Sequence, residues 1–125
     1  MDDAGQQESL RLPWGTQWDL ANADDSALDA TAVHVTLGFQ ADRAGGKGPV
    51  NRYFGTCALA ADGTLALGPF GMTMMAGPPA AMEAERAYLG LLEKVAGFRL
   101  ADGRLELLDA RGASVLTFVP SADPE

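Results

Sequence analysis

Alternating apolar and polar positions predict strands along most of this chain. The first predicted strand has four positions on one side of a period-two pattern, namely Trp14, Thr16, Trp18 and Leu20. The cleanest alternation covers residues 33–39, where four apolar side chains are separated by His34, Thr36 and Gly38. This pattern predicts a strand with one buried and one solvated face. The glycine-rich stretch 41–49 lacks such alternation and is predicted to be a flexible connection.

Two later segments share a sequence pattern that predicts antiparallel hairpins. Ala61–Leu67 and Ala101–Leu107 each place an Asp-Gly pair between apolar runs. Asp-Gly supplies the positive φ angles that tight hairpin turns need. A third hairpin is predicted with its turn at Ala110–Ala113 and its second strand at Val115–Val119.

Residues 80–96 have the length and period of an amphipathic helix. Pro78 and Pro79 precede the segment, and Gly97 follows it as a predicted left-handed terminator. Its apolar stripe consists of Tyr88, Leu89, Leu91, Leu92, Val95 and Ala96. The order of strands, one helix and further strands predicts a mainly β (α+β) fold. We expect a small curved antiparallel sheet or partial barrel packed against a single amphipathic helix.

Length and composition restrict the classes of function. A chain of 125 residues with 47% hydrophobic residues suits one globular domain, predicted at residues 10–120 between disordered tails at 1–9 and 121–125. The formal charge of −8 disfavours nucleic acid as a partner. No apolar run is long enough for a membrane span. Localisation stays open: cytoplasmic if the chain is complete as given, extracytoplasmic (a lipoprotein or secreted) if an export signal was removed.

The usual catalytic and metal-binding patterns lack essential residues. Gly45-Gly46-Lys47-Gly48 resembles a phosphate-binding loop but has Ala41 and Gly48 where that motif needs glycine and serine or threonine. His34 has no second histidine, and we expect it to be exposed on its strand. Cys57 is the only cysteine and is predicted to be a small buried hydrophobe. We therefore expect no enzyme activity, catalytic residue, cofactor or metal site.

Glu85 is the most informative exception to the pattern, because it falls inside the apolar stripe of the predicted helix. Either the helix is rotated so that the carboxylate reaches the rim, or the carboxylate accepts hydrogen bonds from a buried donor. Asn51 and Arg52 are candidate donors, since nothing else explains bulky polar residues in their loop. We hypothesise a structural polar network of Glu85 with Asn51 or Arg52 that fastens the helix to the sheet.

The methionines Met72, Met74 and Met75 form a cluster beside Thr73. Methionine pairs can bind soft copper ions, and flexible methionine surfaces can bind peptides. We expect core filling beneath the helix as the default.

The same residues resemble a known family. Asn51-Arg52-Tyr53-Phe54-Gly55 is similar to the Gly-Cys-Asn-Arg-aromatic-x-Gly signature of the META domain (HslJ-like) family. Met72–Gly77 resembles that family's Thr-x-Met-Ala-Cys segment, and Glu85 stands where its helix carries an acidic residue. Trp18-Asp19-Leu20 and Leu105–Phe118 resemble its opening and its ending.

The resemblance has two departures. Val50 and Gly77 replace the cysteines of the two signatures, so a disulfide or thiol pairing that other members make there is absent. Because both cysteines are lost together, we infer that Val50 and Gly77 lie close in space.

The resemblance implies a β-barrel-like fold. It also implies membership of a group of bacterial proteins that are linked to heat stress, drug tolerance and motility and are often lipoproteins or secreted. We predict a non-enzymatic accessory domain of the cell envelope or stress response that acts through protein contacts. The alternative is a module that holds a small apolar or lipid ligand between helix and curved sheet. The candidate cavity residues are Trp14, Trp18, Met72, Met74, Leu89 and Leu92.

Overall fold

The computed structural model describes residues 17–25, 28–29, 33–40, 42–60 and 64–121. Eight strands and one helix occur in these ranges. The strands are β1 (Gln17–Ala23), β2 (Thr36–Gln40), β3 (Arg43–Lys47), β4 (Arg52–Leu59), β5 (Leu65–Met72), β6 (Gly97–Ala101), β7 (Arg104–Leu108) and β8 (Ser114–Pro120). The helix α1 covers Pro79–Glu93.

The eight strands form one antiparallel sheet in the order β5-β4-β3-β2-β1-β8-β7-β6. The sheet curls until its two edges approach each other, and the Leu65 N–H donates to the Ala96 carbonyl at 2.9 Å. The result is a mainly β half-barrel with one helix, as the apolar pattern predicted.

The helix packs its apolar face into the concave side of the sheet. Its buried residues are Ala84, Glu85, Tyr88, Leu91 and Leu92. All of them except Glu85 belong to one hydrophobic core with side chains from both halves of the sheet, including Leu37, Phe39, Leu105, Leu107, Leu116 and Phe118. Because a curled sheet leaves one side open to water, α1 supplies the apolar cover that this core needs.

Gly97 is not the helix terminator, so that prediction is wrong. The helix ends at Glu93, and the Lys94 cap has a right-handed φ of −86°. Gly97 is instead the first residue of β6. The chain leaves the helix early because the backbone of Ala96 must pair on both sides, with its N–H on Leu108 at 2.7 Å and its carbonyl on Leu65.

The three predicted hairpins are present. Between β6 and β7 the turn residues Asp102 and Gly103 have φ of 54° and 75°, the angles for which Asp-Gly is suited. β4 pairs with β5, although their Asp-Gly turn at 61–63 lies outside the described residues.

The third turn, between β7 and β8, is held by Asp109. Its Oδ1 accepts the N–H groups of Ala113 at 3.0 Å and Arg111 at 2.9 Å. These bonds hold the pKa of the Asp109 carboxyl below its usual range, and the bond from Ala113 has the largest effect.

The prediction of a flexible connection at 41–49 is wrong, because residues 43–47 form β3 between β2 and β4. A methyl group placed on Gly46 would lie 2.3 Å from the Thr36 carbonyl oxygen, and one on Gly45 would lie 2.6 Å from that of Tyr53. The glycines therefore permit a close approach of neighbouring strands. Because these glycines have no apolar side chains, the sequence of β3 lacks the apolar alternation by which a strand is recognised.

Other predictions concern the beginning and end of the domain. Trp18 and Leu20 are buried in β1, whereas Trp14 lies outside the described residues. Of the predicted tails 1–9 and 121–125, residues 1–9 and 122–125 also lie outside them. Ser121, placed in the second tail, donates its N–H to the Gln17 carbonyl at 3.0 Å. No helix of the described part is long and apolar enough to cross a bilayer.

Gly46→Ala should destabilise the protein by about 3 kcal/mol, because the new Cβ would collide with a backbone carbonyl that cannot move without disturbing the sheet. Gly90→Ala is the matched control, since nothing lies within 4 Å of a methyl group at that helical position. The control should gain roughly 0.5–1 kcal/mol from better helix propensity. Urea unfolding followed by tryptophan fluorescence measures both changes, and equal stability of the two variants would contradict the close approach.

Candidate functional site

The buried carboxylate of Glu85 lies at the junction of helix and sheet, with only 4% of the residue exposed. Its Oε2 accepts the backbone N–H groups of Val50 at 3.0 Å and Asn51 at 2.6 Å. Its Oε1 accepts the Asn51 side-chain Nδ2 at 2.9 Å. These three bonds replace water around the carboxylate, which is the condition for burying it.

The Asn51 side chain continues this network to a third segment. Its Oδ1 accepts the Thr73 hydroxyl at 2.8 Å and the Met75 N–H at 2.6 Å. Its Nδ2 donates to the Met75 carbonyl at 3.1 Å as well as to Glu85. The amide thus uses two donor and two acceptor positions. The network joins α1, the β3–β4 turn and the segment after β5.

A tight turn between β3 and β4 aims the two backbone donors at the helix. The Gly48 N–H donates to the Asn51 carbonyl at 2.8 Å. A methyl group on Gly48 would lie 3.1 Å from Glu85 Oε2. Glycine at this position therefore leaves room for the carboxylate.

The side chain of Arg52, the other candidate donor, does not contact Glu85 among the described residues. Arg52 is exposed, because neighbouring residues of a strand point to opposite faces. Only its backbone lies near the network, with its N–H donating to Thr73 Oγ1 at 3.1 Å and its carbonyl accepting the Thr73 N–H at 3.0 Å.

A buried tyrosine pair lies deeper in the core and was not foreseen from the sequence. The Tyr53 hydroxyl donates to the Thr36 carbonyl at 2.6 Å and accepts the hydroxyl of Tyr88. Burial, and then the neighbouring Tyr88, raise the pKa of Tyr53 well above its usual value. Burial also raises the pKa of Tyr88. Both hydroxyls stay protonated at ordinary pH, which suits a structural role.

A pocket of about 320 Å³ opens beside the Glu85 network. It is lined by residues 72–76 on one side and by α1 on the other. Met74 is 90% exposed and Met75 57% exposed. The expectation of core filling is therefore wrong for these two, because the bonds of Asn51 to Met75 hold the backbone at the surface. Met72 is partly buried and packs against the core.

The structure divides the predicted cavity residues into two groups. Met72, Met74 and Leu89 line the open pocket. Trp18 and Leu92 lie in the closed core, and Trp14 is outside the described residues. The pocket therefore lies beside the helix instead of beneath it.

His34 and Cys57 have the burial that the sequence predicted. His34 is exposed, with Nε2 at 3.4 Å from Asp19 Oδ1. Cys57 is buried, and burial, aided by Asp42, raises the pKa of its thiol to about 11. A buried, protonated thiol is a poor nucleophile. Within the described ranges no group of three His, Cys, Asp or Glu residues could hold a metal ion.

Val50 and Gly77 lie in contact, as inferred from the paired loss of cysteine. A methyl group placed on Gly77 would lie 2.9 Å from Val50 Cγ2 and 3.6 Å from Val50 Cβ. The valine fills the space in front of the glycine, so this contact fastens the β3–β4 turn to the segment before α1.

Comparison with known proteins identifies a family and similar folds. The family model described as META domain matches residues 8–123. A protein from Burkholderia xenovorans, solved by NMR, is 27% identical with a TM-score of 0.69, covering 96% of this chain and 88% of that one. A second NMR structure is 21% identical with a TM-score of 0.56, covering 83% of this chain and 87% of its own, and shows the fold alone. No curated protein gives a significant match.

Glu85→Ala and Asn51→Ala should each destabilise the protein by about 3–5 kcal/mol, because each leaves buried polar partners unpaired. In the double variant the loss should be smaller than the sum, since the two residues share one interaction. Chemical and thermal unfolding of the three variants measure these changes.

Glu83→Ala is the control for that experiment, because Glu83 is an exposed carboxylate on the same helix. Its stability should change by no more than about 0.5 kcal/mol. A shift of the thermal midpoint below one degree for Glu85→Ala would reject the fastening role of the network.

The double variant Val50→Cys, Gly77→Cys should form a disulfide under mild oxidation. The Cβ separation of 3.6 Å lies within the roughly 3.5–4.5 Å that disulfides require. The bridge should add about 2–4 kcal/mol by restricting the unfolded chain. Mass spectrometry and unfolding with and without reductant test this, and each single cysteine variant is a control. Two thiols that stay reduced would show that the positions do not face each other.

Proposed function

This chain belongs to the META domain family, and from that premise we propose that it is a non-enzymatic accessory domain of the bacterial cell envelope or stress response, acting through protein contacts. The proposal rests on one observation, the methionine surface formed by Met74 and Met75. With Phe54, these are the exposed large hydrophobic residues of the described part. An exposed apolar surface beside a pocket is typical of a site of protein interaction.

The proposed partner is an apolar polypeptide segment flanked by basic residues. The pocket volume of about 320 Å³ has room for one or two apolar side chains, and unbranched methionines adapt to irregular partners. The net charge of −8 would attract basic flanks and repel acidic ones.

The absence of catalysis in this proposal is supported by the state of the reactive groups. The Glu85 carboxylate is occupied by three N–H donors. The Tyr53 and Tyr88 hydroxyls bond to each other in the core. A general acid or base must reach a substrate proton. These groups are instead hydrogen-bonded to other residues of the fold.

A small apolar ligand is the second candidate, favoured by the apolar lining of the same pocket. The closed core beneath α1, where Tyr88 and Leu92 are buried, counts against a ligand held between helix and sheet. The open pocket is at the lower end of the roughly 300–1,000 Å³ of ligand sites. Native mass spectrometry of freshly expressed protein would detect a co-purified lipid, which would favour this alternative.

Selection from a library of short random peptides tests the protein-contact proposal. We expect enrichment of apolar peptides with Lys or Arg flanks, because the pocket is apolar and the chain acidic. The variant Met74→Ser, Met75→Ser should bind the selected peptides at least tenfold more weakly.

Phe54→Ser is the matched control, because Phe54 is also exposed but lines a different hollow, with Gly45 and Arg43. It should bind the selected peptides as the unmodified chain does. Peptides without apolar character, or binding that survives the methionine changes, would contradict the proposal.

A further inference from the structure

Four of the chain's five methionines line the same pocket: Met72, Met74, Met75 and Met82. The fifth, Met1, lies outside the described residues. We propose that this pocket is a binding site for a soft monovalent cation, Cu(I), held by methionine thioethers. The proposal goes beyond protein contacts, because it depends on sulfur as a donor and not on apolar area.

The donor set selects the class of metal. A thioether sulfur is neutral, polarisable and soft, so it binds Cu(I) and the chemically similar Ag(I) in preference to hard Ca²⁺ or Mg²⁺. It carries no proton in the pH range of proteins, so binding requires no deprotonation of these ligands. Sites made from His, Cys and carboxylates differ in this respect.

The methionines line the pocket from two walls. Met72 ends β5, and Met74 follows two positions later in a non-helical segment. Met82, in the first turn of α1, lines the opposite wall.

The backbone of the methionine segment is positioned although its side chains are exposed. Asn51 binds both the N–H and the carbonyl of Met75, and Thr73 binds Asn51 and the backbone of Arg52. Burial cannot account for Met74, which is 90% exposed. Because the backbone is fixed and the thioethers are free, a metal ion could bind them with little reorganisation of the chain.

Charge near the pocket favours a cation. The Glu85 carboxylate lines it and is bonded to three neutral N–H donors. The exposed Arg86 also lines the pocket, and its positive charge opposes the attraction of the carboxylate for a cation. Its long side chain can turn away into water. The net charge of −8 adds an attractive long-range field.

Titration of the full chain with Ag(I), an air-stable probe for Cu(I), tests the proposal. Cys57→Ala, His34→Ala is the parent protein, because thiol and imidazole also bind silver. Isothermal calorimetry should give one equivalent of Ag(I). NMR of ¹³C-methyl methionine should show shifts of the four pocket methyl signals but not of the Met1 signal.

Leucine variants separate sulfur ligation from apolar contact. Met74→Leu, Met75→Leu should weaken Ag(I) binding at least tenfold, and replacement of all four should abolish it. If the variant with all four replacements fails to fold, Ag(I) binding by Met74→Leu, Met75→Leu still tests the proposal. Leucine keeps the apolar surface, so selected peptides should still bind these variants, whereas the serine variants should lose both peptide and silver. In the unmodified chain, peptide binding without Ag(I) binding would reject the metal site alone, and Ag(I) binding without peptide binding would reject the protein-contact proposal alone.

Three results would overturn the metal site. The first is undiminished Ag(I) binding in Met74→Leu, Met75→Leu. The second is binding of Zn²⁺ as strong as that of Ag(I), which would indicate ligands other than thioethers. The third is silver binding that leaves the four methyl signals unmoved.

Discussion

The structure depends on the buried Glu85 carboxylate and its need for hydrogen bonds. A carboxylate removed from water is stable only when its oxygens are occupied by donors. Here those donors are two backbone N–H groups and the amide of Asn51. Satisfying one charge therefore fixes the position of the helix relative to the β3–β4 turn. Through the second half of the Asn51 amide it also fixes the segment that begins at Thr73.

Closure of the sheet is the second constraint. Within the curled eight-stranded sheet, β3 lies close to its neighbouring strands, because its glycines would clash with them if they carried side chains. The edges then meet near Ala96, and the helix covers the remaining opening. A closed core on one side and a fixed, exposed methionine segment on the other follow from these two constraints.

The amino-acid sequence by itself determined the features that depend on neighbours along the chain. Asp102-Gly103 forms a hairpin turn because the required φ angles are local properties of those residues. The helix follows from a 3.6-residue period. A carboxylate inside its apolar stripe required either a position at the rim or a buried donor, and Asn51 and Arg52 were the two candidate donors. The contact between Val50 and Gly77, which are distant in the chain, was indicated instead by paired departures from the signatures of the family that the chain resembles.

Only the tertiary structure decided the features that depend on partners far away in the chain. β3 is a strand because β2 and β4 lie on either side of it, and its own glycines have no strand preference. The helix ends before Gly97 because Ala96 is required for closure of the sheet. Met74 is exposed because Asn51 holds the next residue's backbone at the surface, whatever the side chain's own hydrophobicity. Local preference cannot determine such positions, since the energy that sets them comes from pairing between segments distant in sequence.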